Sequence, residues 1–194
     1  SSCLYGLYKP DSGEIRVDGA VVHLRSPGDA IRAGIGMVHQ HFVLVPGFTV
    51  LENVTVGTGP GWNLDRTNAL ARINAICTTY GISLDPHRLV GDLSVGEQQW
   101  VEIVKALYTG ARLLILDEPT AVLTPDESQR LFRIIQRLTG EGLSVILISH
   151  KMAEVMQSAQ VSELRKGRLV GTVRTADVSR DQLTATMVGR SISP

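Results

Sequence analysis

Leu113-Leu114-Ile115-Leu116-Asp117-Glu118-Pro119 is a run of four apolar residues that ends in two acids. Such a run suits a strand buried on both faces of a parallel sheet, whose carboxyl end delivers the next side chains to the crevice where these sheets bind ligands. Asp117 and Glu118 would stand there. One carboxylate can hold Mg²⁺, usually through its waters, while its neighbour orients an attacking water. Alone, the pattern equally fits a strand leaving the core through a polar turn, so its neighbours decide the reading.

Upstream stands Leu93-Ser94-Val95-Gly96-Glu97-Gln98-Gln99. Ser94 can cap a helix that begins near Val95, Gly96 permits close backbone approach, and the amino end of that helix offers N–H groups and a dipole that favour a phosphate. The same residues also fit an ordinary capping box of Ser94 with Glu97. Downstream, Thr124-Pro125-Asp126-Glu127 supplies a cap, a first-turn proline and a possible capping box. Leu131, Ile134, Ile135 and Leu138 then share one helical face, and Gly140 and Gly142 end the run. Ser144 to Ile148 reads as a second buried strand, ending at Ser149-His150.

Farther out, Gly13 to Gly19 alternates like a half-buried strand, and Asp18-Gly19 predicts a hairpin turn into Ala20 to His23. Ser26-Pro27 opens a short helix that Gly34 stops. Ile35 to Gln40 reads as a strand with Gln40 at its end. From 51 to 110 the pattern is mainly helical, broken by the loop from Gly57 to Gly61 and the Asp85-Pro86 turn. Beyond His150, Met152 to Ser158 suits a helix, Val161 to Arg165 and Leu169 to Arg174 suit a hairpin around Lys166-Gly167, and Ser179 to Val188 suits a last helix. The order of elements predicts an α/β sandwich.

With 194 residues, 43% hydrophobic and 20% charged, the chain can fold around a sizeable core. Lys plus Arg equals Asp plus Glu at 19 each, so charge gives no general attraction to nucleic acid or an anionic membrane. The longest apolar runs fall far short of the roughly 20 residues that span a bilayer. Cys3 and Cys77 are far apart and outside any metal-ligand pattern, which predicts a reducing compartment and neither disulfide nor zinc.

The heptad Leu93 to Gln99, standing shortly before Leu113 to Pro119, resembles the signature sequence and Walker B strand of ATP-binding cassette (ABC) ATPases, and the likeness extends over almost the whole chain. The resemblance implies a P-loop NTPase core, residues 1–50 and 111–194, with a helical signature subdomain at 51–110. It implies ATP and Mg²⁺ as cofactors. Asp117 would support the metal, Glu118 would be the catalytic glutamate, and His150 the switch histidine at the γ-phosphate. Gln40 would be the Q-loop glutamine that reaches metal or water. Ser94, Gly96, Glu97 and Gln98 would meet the nucleotide of a facing cassette. Ala121-Val122-Leu123-Thr124 departs from the common Ser-Ala-Leu-Asp form of the D-loop, so Thr124 is expected to be a helix cap.

Leu164 to Val173 with Met187-Val188-Gly189-Arg190 resembles the end of the first cassette in importers with two fused cassettes. Gly36 to Phe42 and Pro119 to Pro125 resemble the nucleoside-importer branch, with simple-sugar importers sharing much of the pattern. The implied function is the ATPase of a nucleoside importer, or alternatively of a sugar importer. A non-transport ABC ATPase and a noncatalytic module are the rivals. The implied partners are membrane permeases, a second cassette fused or paired, and indirectly a substrate-binding protein, with no nucleic acid. The implied location is peripheral, on the cytoplasmic face of the plasma membrane. Phe42, Leu44, Val45, Phe48 and Val50 are candidates for a docking surface or for the chain's own core. The Walker A sequence Gly-x-x-x-x-Gly-Lys-Ser/Thr does not occur among the 194 residues. The likeness places it just upstream of Leu4 to Gly13, so the chain is expected to begin after the first core strand and P-loop and, by itself, to bind ATP poorly and scarcely hydrolyse it.

Overall fold

The structure, a computed structural model, describes residues 3–40, 42–57, 65–165 and 168–187. Ser1, Ser2, His41, most of the loop from Gly57 to Gly61, the Lys166-Gly167 turn and Val188 to Arg190 lie outside the described residues. The chain divides into two compact units, Ser1–Ile148 and Ser149–Pro194.

The centre of the first unit is a parallel sheet of three strands, β3 (Ile35–Val38), β4 (Leu113–Asp117) and β5 (Ser144–Ile148), with β4 in the middle. Alternation along β4 sorts its side chains to two cores. Leu114 and Leu116 join Val38 under the helices, while Ile115 joins Leu24, Ala30, Ile35 and Met37 on the other face. All three of these β4 residues are fully buried, each worth about 1.5–3 kcal/mol. β5 is less buried than the buried strand expected from its apolar run. It is an edge of the described sheet, and Ile146 is 39% exposed.

On one face α4 (Val95–Tyr108) lies against β3, and α2 (Val50–Thr55) and α3 (Arg66–Tyr80) pack against α4. The close fit of α4 on β3 rests on Gly36, where a Cβ would come within 2.7 Å of the Ala106 methyl. α5 (Pro125–Gly140) returns the chain from β4 to β5 and buries Leu131, Phe132, Ile134 and Leu138. The amino-terminal hairpin is β1 (Ile15–Val17) with β2 (Ala20–Val22), and Asp18 and Gly19 take the two positive φ angles that its tight turn requires. α1 (Pro27–Arg32) starts at Ser26 as expected, the Ser26 side chain accepting from Asp29 N.

In the second unit the helix after His150 is shorter than expected, α6 (Met152–Val155). β6 (Gln160–Arg165) and β7 (Arg168–Arg174) form the expected antiparallel hairpin, and α7 (Arg180–Met187) follows.

Candidate functional site

The carboxyl edge of the parallel sheet collects the two acids and Gln40. Val38 pairs with Leu116 and Asp117 pairs with Ile148, so the ends of β3, β4 and β5 lie side by side. Gln40, exposed, comes two residues after β3, and Asp117 closes β4. Glu118 then adopts a left-handed backbone with φ 48°, and its N–H donates to Ile148 O at 2.9 Å. That conformation costs a non-glycine residue about 1–2 kcal/mol. Strain of this kind persists where the surroundings over-determine it, and it turns the chain sharply so that two successive side chains leave the strand end. Pro119 and Thr120 are buried behind them, and Ala121 N closes a turn onto Glu118 O.

Ser94 caps α4 through a full capping box: its hydroxyl accepts from Glu97 N, and Ser94 N donates to Glu97 Oε2 at 2.8 Å. These bonds leave the N–H groups of Val95 and Gly96 without an intrahelical carbonyl, as the first turn of any helix does. Glu97 also pairs with Arg88 at 2.9 Å, and Gln98 Nε2 donates to Leu93 O at 3.1 Å. The Ser94 N–H holds the Glu97 carboxyl below the usual glutamate range, with burial opposing and Arg88 assisting. Glu97 and Gln98 are therefore engaged inside the chain, whereas Ser94 is exposed and keeps its hydroxyl proton to donate.

Thr124 caps α5 as expected from its sequence, with Glu127 completing the box. The two caps touch. A Cβ on Gly96 would overlap the Glu127 carboxylate, whose other oxygen accepts from Thr124 N at 2.9 Å. Gly96 is thus needed for the segment after the two acids to pack against the start of α4.

The loop between β3 and α2 is held by two side chains. Asn53, fully buried, accepts from Val45 N at 2.8 Å and donates from Nδ2 to Val45 O, Phe48 O and Thr49 O. Glu102, on α4, accepts from Val43 N at 2.9 Å. Neither was singled out in the sequence. A signal existed for Glu102, the one charged residue in the apolar run from Trp100 to Val104. Of the apolar residues expected to dock or fill the core, Val50 is fully buried, Leu44 packs against the helical core, and Val45 and Phe48 are 42% and 41% exposed.

His150 belongs to the second unit, two residues past β5, and is exposed. Ser149 Oγ accepts from Lys151 N at 3.0 Å and shapes the turn around it.

Asp117 offers the hard carboxylate oxygen that Mg²⁺ accepts; among the described residues no group of three or more His, Cys, Asp or Glu side chains could hold an ion. Also among the described residues, no helix is long and apolar enough to cross a membrane.

The family model "ABC transporter" matches residues 1–121. The glucose import ATP-binding protein of Haloferax volcanii is 47% identical over 220 residues, covering 97% of this chain and 40% of that protein. The nucleoside import ATP-binding protein of Lactococcus lactis is 47% identical over 193 residues, covering 98% of this chain and 38% of the relative. A ribose import ATP-binding protein of Rubrobacter xylanophilus is also 47% identical, again over 38% of its length. The chain thus spans about two fifths of the length of these curated relatives. In fold it matches a nucleotide-free ATP-binding cassette from an ABC transporter with TM-score 0.80 at 22% identity, covering 100% of this chain and 82% of that one. Strand order, helical cover and these likenesses agree: the chain belongs to the ABC transporter family and has the P-loop NTPase fold of its ATP-binding cassettes.

Proposed function

We propose that this chain is part of the ATP-hydrolysing subunit of an importer, most closely allied to those for nucleosides. The observation that carries the reading is the pair Asp117 and Glu118, turned out by a strained backbone at the carboxyl edge of a parallel sheet in a chain of this family. Bound Mg²⁺ATP supplies the phosphoryl group to be transferred. Asp117 supports the metal, Glu118 orients the attacking water, Gln40 reaches metal or water from the end of β3, and His150 steadies the γ-phosphate. Ser94 and Gly96 set the amino end of α4 toward the nucleotide of a facing cassette, and Glu97 and Gln98 brace that end from within. Residues 1–50 and 111–194 form the nucleotide-binding core, and 51–110 the helical signature subdomain.

The partners are membrane permeases, a second cassette and, through the permeases, a substrate-binding protein, with the subunit peripheral on the cytoplasmic face. The length of the relatives supports the second cassette being fused. A sugar cargo is the second reading, supported by glucose and ribose relatives at the same 47% identity as the nucleoside one. Uptake of labelled nucleoside by cells carrying the assembled transporter tests the choice. Uptake that excess unlabelled nucleoside suppresses, that ribose or glucose leaves alone, and that Glu118→Gln abolishes is the expected result; uptake of sugar alone overturns the nucleoside assignment.

A further inference from the structure

Glu102 is 7% exposed and sits among Trp100, Val101, Ile103 and Val104, all buried. A carboxylate in such a place is costly, and an apolar side chain of similar size would serve packing at least as well. What Glu102 does instead is accept the N–H of Val43 across 59 residues of sequence. Val43 as a whole is 69% exposed, and it is its backbone N–H that is held.

The bond joins two pieces of the proposed machinery. Val43 lies three residues after Gln40, and Glu102 lies about 9 Å along α4 from Gly96, on the same rigid helix. His39, beside Gln40, and Lys105, one turn farther along α4, are the charged or titratable groups acting on the carboxyl, and Tyr5 meets the His39 ring edge-on at 5.4 Å. We propose that Glu102 is a positioning residue whose bond to Val43 keeps the loop carrying Gln40 in register with the helix carrying Ser94 and Gly96, so that the two move together when nucleotide binds. The inference rests on the ATPase reading above. Burial, the largest effect, holds the Glu102 carboxyl above the usual glutamate range against the Val43 N–H, Lys105 and His39, and an amide oxygen in its place would keep an acceptor for the Val43 N–H.

The test uses the protein at its native length. Glu102→Leu removes the acceptor, Glu102→Gln keeps one, and Val43→Pro removes the donor from the other side. Glu102→Leu is expected to speed hydrogen exchange at the Val43 amide about tenfold or more, and to lower kcat for ATP by about tenfold while KM changes less than about twofold. Val43→Pro should give the same loss of kcat, and it carries the test if Glu102→Leu does not fold. Glu102→Gln should stay within about twofold of wild type in both readouts. Folded Glu102→Leu or Val43→Pro protein with wild-type kcat, or Glu102→Gln as impaired as Glu102→Leu, overturns the inference alone. A wild-type protein that does not hydrolyse ATP overturns the ATPase reading, and the inference with it.

Discussion

One glycine–acid contact carries most of the argument at the level of single residues. Gly96 is fixed by the Glu127 carboxylate that occupies the place of its Cβ. Glu127 cannot swing aside freely, because it closes the cap of α5 on both Thr124 N and Thr124 Oγ1. Gly96→Ala should therefore destabilise the chain by about 1–3 kcal/mol, and Glu127→Ala by about 1 kcal/mol through the lost cap. The double variant should cost less than the sum by about 1 kcal/mol or more, because the second change makes room for the first. Urea midpoints of the four proteins measure this, and strict additivity would show that the two residues do not share the space.

At the level of elements, the β3–α2 loop is anchored more firmly than its exposed apolar residues suggest. Asn53 spends its whole amide on the loop backbone, and Val90 N and Gly91 N tie the same loop through Phe48 O and Pro46 O. Asn53→Ala leaves the Val45 N–H without its partner and removes a donor from the Val45, Phe48 and Thr49 carbonyls, and should cost about 2–3 kcal/mol. For a chain of this size that lowers Tm by roughly 4–12 °C, readable in a thermal melt; an unchanged Tm would mean that water replaces the amide. The sequence made β4, α4 and α5 readable because each announces itself within a few residues, by an apolar run or by a cap three positions from its acid. It left β5 open, where an equally apolar run lies at an edge of the described sheet, because burial depends on which strands flank it. The Glu102 to Val43 and Gly96 to Glu127 contacts were hidden for a related reason: their partners are set by how α4 lies against the loop and α5, which no local pattern records.

For the molecule as a whole, several helix caps predict how stability follows pH. Backbone N–H donation from Ser94, Thr49 and Arg25 is the first cause that holds Glu97, Glu52 and Asp29 below the usual carboxylate range. Their stabilisation is present above the ordinary pKa of about 4 and is lost as pH falls through the lowered folded values. Glu102 has the opposite sign. Its folded pKa is raised, so its contribution is full below the ordinary value and is lost as pH rises through the folded one. The urea midpoint should therefore fall below about pH 4, and Glu102→Gln should gain on wild type as pH rises from 4 to 7. Parallel profiles for the two proteins would contradict the assignment of that buried acid.

The central claim is that Glu118, at the strained end of the middle strand, drives ATP hydrolysis without being needed to bind ATP. Its most direct test is ATP binding and turnover by the native-length protein and its Glu118→Gln variant, measured side by side. Turnover should fall by about 10²–10³-fold, while the Kd for ATP stays within about threefold. Turnover that survives the substitution, or binding lost together with turnover, would contradict it.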